Sequence, residues 1–155
     1  MNKFVYALVA LSALLVGVIA HQARQSDFIT LDDNRLDWVN SQGKWTVVNY
    51  FAEWCAPCLR EIPELNEFHQ LNKHQIDIYA VSFDPLTEQQ LLALQQKYSI
   101  AFPIISTLNA LPWQQPPNSL PTTYILNPEG VLIKQLKGEQ SADDLLHTIE
   151  RLKSL

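Results

Sequence analysis

The strongest constraint on the fold is a three-part pattern between residues 45 and 71. Residues 45–51 read Trp-Thr-Val-Val-Asn-Tyr-Phe, β-branched, aromatic and nearly all apolar. Such a run suits a central strand covered on both faces. Trp54-Cys55-Ala56-Pro57-Cys58 follows at once, and then Leu59, Ile62, Leu65, Phe68 and Leu71 recur at three-residue steps. Those steps predict a helix with one apolar stripe, opening at Cys55. Pro57 suits its first turn, where a missing N–H is no loss. Pro63 lies in the interior and is expected to kink the helix.

The rest of the chain extends this strand–helix alternation. Residues 76–82 predict a strand, and 87–98 a helix capped by Thr87 with Leu91, Leu94 and Tyr98 turned inward. Residues 102–106 predict a short strand. The stretch 108–119 holds Pro112, Pro116 and Pro117 and predicts a loop. Two apolar runs, 122–126 and 131–136, flank Asn127-Pro-Glu-Gly130 and predict a hairpin. Ser141 is expected to cap a closing helix to Lys153, with Asp143 and Asp144 in the first turn, where the dipole favours anions. Upstream, 28–31 predicts a short strand with 32–34 as its turn, and 36–40 a helical turn ended by Gly43. The order βαβαβ then ββα predicts one α/β domain over residues 27–155. It would be a three-layer sandwich with a parallel βαβ unit, helices on both faces of a mixed sheet and an antiparallel C-terminal hairpin.

Residues 1–26 are expected to be an anchor and tether. The run 4–20 carries no charge and follows Met1, Asn2 and Lys3. A secretory signal has an apolar stretch of about 7–15 residues and a small-residue cleavage site, for which 18–20 would serve. A spanning helix needs about 17–25 apolar residues. The length of the run favours an uncleaved single transmembrane helix, and the absence of a polar face at period 3.6 disfavours a buried core helix. Lys3 and the amino terminus favour an inside start, although Arg24 on the far side weakens that bias. Either reading places the remainder outside the cytoplasm: in a single-pass inner-membrane protein it would face the periplasm or the cell exterior.

Composition narrows the function classes. The 155 residues carry 11 Lys and Arg against 16 Asp and Glu, a formal charge of -5, with no basic cluster. Such a surface repels phosphate backbones and argues against nucleic-acid binding. The chain is 47% hydrophobic and 17% charged, too apolar for a disordered polymer. No internal repeat or low-complexity tract is present.

The two cysteines, Cys55 and Cys58, are the only ones in the chain. A C-x-x-C pair after a strand and opening a helix is a redox motif. Cys55 would sit where unpaired N–H groups and the helix dipole stabilise a thiolate, lowering its pKa and making it the attacking group. Cys58, one turn on and more shielded, would resolve a mixed disulfide. Two blander readings compete. A purely structural disulfide closing so short a loop removes little denatured-state entropy, roughly 2 kcal/mol. Zinc would use the spelling C-x2-C-x10-H-x4-H completed by His69 and His74. Those histidines, however, fall at and beyond the far end of the predicted helix, about 17–24 Å from its start.

The stretch Asn49-Tyr-Phe-Ala-Glu-Trp-Cys-Ala-Pro-Cys-Leu-Arg-Glu-Ile-Pro63 resembles the thioredoxin superfamily and, within it, the membrane-anchored TlpA/ResA-like reductases. Leu120-Pro121-Thr-Thr-Tyr-Ile-Leu-Asn-Pro-Glu-Gly130 resembles the segment that carries that family's cis-proline. The likeness covers residues 27–155 in order and spacing. It implies a Cys55–Cys58 redox disulfide, a cis Pro121 against the cysteine pair, and Leu120 offering its backbone to an extended substrate. Trp54, Ala56 and Pro57 would flank the substrate. Asn49 stands where thioredoxins carry a buried Asp, and Glu61 stands where the TlpA/ResA-like group has a Glu. A carboxylate one turn from Cys58 could accept or relay its proton; the alternative is a solvated helix glutamate. Glu53 is expected to be solvated.

The resemblance also implies partners: disulfide-containing proteins as substrates and a membrane thiol transporter as electron donor. No cofactor or metal is expected. The proline-rich stretch before Pro121 departs from relatives that often have a helical turn there, so specificity does not carry over. No insert of the cytochrome-c-maturation subgroup is evident, which leaves that role open. Reduction is the direction implied by resemblance alone. The rival readings are a copper-handling module on the same fold, which would use C-x3-C and a distant histidine, and a peroxidase, which would need a lone cysteine after Thr or Ser. His147, on the terminal helix, lies away from the loop where the copper reading expects its histidine.

Overall fold

A computed structural model describes residues 26–39 and 42–154, plus isolated positions in the first 17. The expected anchor at 4–20 and the tether behind it lie largely outside the described residues. Among those described, no helix is long and apolar enough to cross a membrane.

The elements run β1 (Phe28–Thr30), β2 (Arg35–Leu36), β3 (Trp45–Phe51), α1 (Ala56–Asn72), β4 (Ile76–Ser82), α2 (Glu88–Lys97), β5 (Ile104–Leu108), β6 (Thr122–Leu126), β7 (Leu132–Lys137) and α3 (Ala142–Lys153). The seven strands form one sheet in the order β2-β1-β5-β4-β3-β6-β7. The inner strands β3, β4 and β5 are parallel neighbours. Both flanks are antiparallel: β6 on β3 and β7 on β6 at one side, β1 on β5 and β2 on β1 at the other. The mixed sheet therefore has the expected parallel βαβ unit and C-terminal hairpin.

The three-layer expectation is corrected. Buried side chains from all three helices join one cluster: Ile62, Leu65 and Phe68 of α1, Leu91 and Leu94 of α2, Leu145 and Ile149 of α3. The opposite cluster, Phe28, Trp38, Val48, Tyr50, Val81, Ile105, Trp113, Tyr124 and Leu126, draws no residue from a helix. The strand order explains this. The steps β3 to β4 and β4 to β5 run in the same direction across the sheet, so two right-handed crossovers put α1 and α2 on one face. The return from β5 to β6 crosses the other face, and its three prolines cannot sustain a helix. Aromatic rings do the covering instead: Trp113 stacks on Tyr124 with centroids 4.6 Å apart, and Trp38 lies 4.3 Å from Phe28. Trp38 Nε1 donates to Ala110 O at 2.8 Å, tying this connection down.

Three local expectations also shift. Residues 36–39 do not begin a helical turn, and position 40 lies outside the described residues; Leu36 pairs with Phe28 in an antiparallel ladder, and Trp38 then enters the core. The strand expected at 102–106 runs Ile104–Leu108, because Pro103 cannot donate to a ladder and Leu108 finds Phe28 as a partner. Leu71 is 72% exposed rather than on the apolar stripe. Three-residue steps fall about 60° short of a full turn each, so a strict run of them drifts off the buried face. The true stripe is Cys58, Glu61, Ile62, Leu65 and Phe68. The helix continues through Pro63. Both expected caps are present: Thr87 in a capping box with Gln90, and Ser141 accepting from Asp144 N–H.

A candidate active site at the N-terminus of α1

β3 ends in the core at Phe51, Ala52 behind it is also buried, and the chain turns sharply into α1. Cys55 N–H donates to Ala52 O at 3.1 Å. Cys55 is the N-cap, with extended backbone, and its Sγ accepts from Cys58 N–H at 3.3 Å. The sulfur thus occupies the position where a capping oxygen normally satisfies an orphan donor. Pro57 lies in the first turn, as its missing N–H allows. Cys55 and Cys58 are joined by a disulfide with Cα atoms 5.3 Å apart. Cys58 is fully buried and Cys55 is 5% exposed. Both are buried, and the little exposure that remains is on Cys55.

The Leu120–Pro121 bond is cis. The register pairs Thr122 with Tyr50, so Pro121 comes at the end of the sheet where β3 hands over to Cys55. Leu120 packs against the cluster that holds both cysteines. Gly138 N–H donates to Pro121 O at 3.0 Å, and Thr122 Oγ1 to Ser119 O at 2.8 Å, which fixes the turn on both sides.

Glu61 is not solvated; it is 2% exposed. Its Oε1 accepts from Asn49 Nδ2 at 2.8 Å and its Oε2 from the Gln140 backbone N–H at 3.0 Å. Asn49 donates as well to Thr123 Oγ1 at 3.1 Å. Burial dominates and pushes the Glu61 carboxyl up to about 7, while the two hydrogen bonds pull the other way. A carboxyl that exchanges a proton near neutrality therefore sits one helical turn beyond Cys58.

Around this centre, Trp54 is 66% exposed and Ala56 is exposed, with Pro57 half-buried. Trp54 Nε1 donates to Asp84 Oδ2 at 2.8 Å, and its ring meets Phe83 edge-on at 6.3 Å. Phe83 is held there by its N–H on Phe51 O at 2.8 Å. Glu53 pairs with Lys97 at 2.8 Å, which holds its carboxyl below the ordinary range.

Residues missed from sequence include Phe83, Asp84, Thr123 and Gln140. An exposed aromatic at the end of β4 is a readable signal, whereas the Gln140 contribution is a main-chain donor and leaves none. His69 lies in the last turn of α1, and the described residues include no group of side chains able to hold a metal ion.

Fold and site together define a thioredoxin-like thiol–disulfide oxidoreductase. The chain belongs to the AhpC/TSA family, whose profile matches residues 19–135. It is 26% identical over 131 residues to the thiol-disulfide oxidoreductase ResA of Bacillus thuringiensis subsp. konkukian, covering 79% of this chain and 71% of that one. It is 29% identical over 113 residues to the thioredoxin-like protein YneN of Bacillus subtilis, covering 72% and 66%. The crystal structure of StoA from Bacillus subtilis shares the fold with a TM-score of 0.60 at 19% identity, covering 77% of this chain and 92% of that chain.

Proposed function

We propose that the protein reduces disulfides of other proteins outside the cytoplasm, held at the inner membrane by a single span within residues 4–20. The observation that carries the chemistry is the disulfide built on a helix cap, with Cys55 Sγ receiving the Cys58 N–H. In the reduced state that same donor and the helix N-terminus favour the Cys55 thiolate. The thiolate attacks a substrate disulfide, one substrate sulfur leaves as a thiolate, and Cys55 is left in a mixed disulfide. Cys58 then loses its proton and attacks Cys55 Sγ, releasing the second substrate thiol and closing the Cys55–Cys58 bond.

Glu61 is the group suited to receive the Cys58 proton, since burial has brought its affinity close to neutral pH. Leu120 offers its backbone to an extended substrate segment beside the dithiol, and Pro121, Trp54, Ala56 and Pro57 flank it. Two electrons return from a membrane thiol transporter. The uncharged N-terminal run supports an extracytoplasmic setting.

Insulin-disulfide reduction tests the chemistry. Cys55→Ser abolishes it, and Cys58→Ser accumulates mixed disulfides that can be isolated from the native host and identified. Equal rates in both variants and the parent would end this reading. Carbonate extraction of membranes tests the anchor: release of the whole chain into the wash would remove it.

A further inference from the structure

The loop between β7 and α3 carries the donor that holds one Glu61 oxygen, and two other side chains of α1 grip that loop on either side of it. Arg60 pairs with Glu139 in a bidentate contact along one guanidinium edge, Nε to Oε2 at 3.3 Å and Nη2 to Oε1. Gln140 N–H donates to Glu61 Oε2 at 3.0 Å. Ala142 N–H donates to Glu64 Oε2 at 3.0 Å. Residues 60 and 64 stand one turn apart on the helix, and their partners bracket position 140 in the loop. An exposed ion pair alone holds little. Two ties from one helix face to both flanks of a short loop restrict it far more, and the second also places a carboxylate at the N-terminus of α3, where the dipole favours it.

We propose that Arg60 and Glu64 are positioning residues of the dithiol site, fixing the β7–α3 loop so that the Gln140 N–H stays on Glu61. This rests on the reading of Glu61 as the proton acceptor for Cys58. Its consequence is regulation of that acceptor from outside the core: when the loop shifts enough to lengthen this bond while Glu61 stays buried, Glu61 loses the donor that favours its ionised form and becomes harder to deprotonate. The groups around Glu61 leave this tie as the adjustable one. β3 and β6 bring the neutral Asn49 and Thr123, the loop brings Glu139, and α1 brings Cys58 and Arg60. Asp143 and Asp144 of α3 are exposed in its first turn, and Lys137 at the end of β7 is exposed.

Glu64→Ala separates this arrangement from simple charge effects. Removing a negative charge near Glu61 lowers its titration midpoint if charge acts through space alone. Loosening the loop while Glu61 stays buried raises it, by about 0.5–1 unit for partial loss of a hydrogen bond to a charged group. Glu64→Gln keeps an oxygen for the Ala142 N–H and restores the closed loop, so its midpoint does not rise. The probe is the carboxyl 13C shift of Glu61 in the full-length oxidised protein, assigned with Glu61→Gln and read alongside Gln140 amide exchange. We expect Glu64→Ala and Arg60→Ala to raise the midpoint and speed Gln140 exchange. A Glu64→Ala midpoint at or below that of the parent, or an unchanged Arg60→Ala, overturns the proposal. Failure of the underlying reading looks different: Glu61→Gln would reduce insulin with the parent's pH profile while the midpoint shifts persist.

Discussion

Asn49 Nδ2 reaches from the middle of β3 to Glu61 Oε1 on α1 at 2.8 Å, joining sheet and helix by a wholly buried side-chain bond. The same nitrogen also reaches Thr123 on β6. One amide thus satisfies two buried acceptors from two elements, and it does so beside the redox pair.

Removing that amide is costly. Asn49→Ala leaves a buried carboxyl oxygen and a hydroxyl short of their donor, which costs about 1–3 kcal/mol of stability. It also takes away a bond that favours ionised Glu61, so the Glu61 midpoint rises above about 7. Denaturant melts and a carboxyl titration measure the two effects; a variant as stable as the parent would show that the bond contributes nothing net.

The raised Glu61 affinity links stability to pH. In the oxidised protein the cysteines are bonded and do not titrate. Between pH 4.5, the ordinary value, and about 7, the folded chain keeps a proton that the unfolded chain has released. Stability therefore falls as pH rises through that window, by on the order of 3 kcal/mol, and levels off above it. Glu61→Gln removes this dependence. Superimposable pH–stability curves for the two proteins would refute the assignment.

On the face without helices, Trp113 is the central ring, between Trp38, Tyr50 and Tyr124. Trp113→Ala is expected to cost about 3–5 kcal/mol as a core cavity. Trp54→Ala, at an exposed ring, is expected to change stability by less than about 0.5 kcal/mol. Thermal melts of the pair would contradict this packing if the order were reversed.

Gly130 adopts φ +74 in the β6–β7 turn, and a Cβ there would meet the Trp38 carbonyl carbon at 2.9 Å. Gly130→Ala combines left-handed strain of roughly 1–2 kcal/mol with a clash against main chain that cannot swing aside. Loss of stability smaller than the strain alone would indicate that the Trp38 segment yields.

Much of the reactive centre was legible because it is local. A β-branched run, a C-x-x-C and an apolar helix face place Cys55 at a cap without knowledge of the rest. The cis state of Pro121 came from resemblance, since nothing in Leu120-Pro121 by itself selects it. The burial of Glu61 was half legible: counted at 3.6 residues per turn from Cys58, it falls on the inward face with Ile62, Leu65 and Phe68, whereas three-residue counting left it outside. Which face each helix covers was not legible. That depends on the order of strands in the sheet, and no periodicity in a single strand encodes its neighbours. The prolines of the β5–β6 connection were visible as a loop, but their role as the roof of one face required Trp38 and Trp113 to be seen converging.

That irregular roof has a consequence for how such a molecule can diversify. It runs directly into Leu120, so its far end also borders the cluster that holds both cysteines. Surface connections accept substitution and changes of length more readily than helices do. A lineage can thus remodel the surface beside the dithiol by rewriting the back of the sheet, while the helix that carries both sulfurs, and the carboxyl behind them, stay as they are.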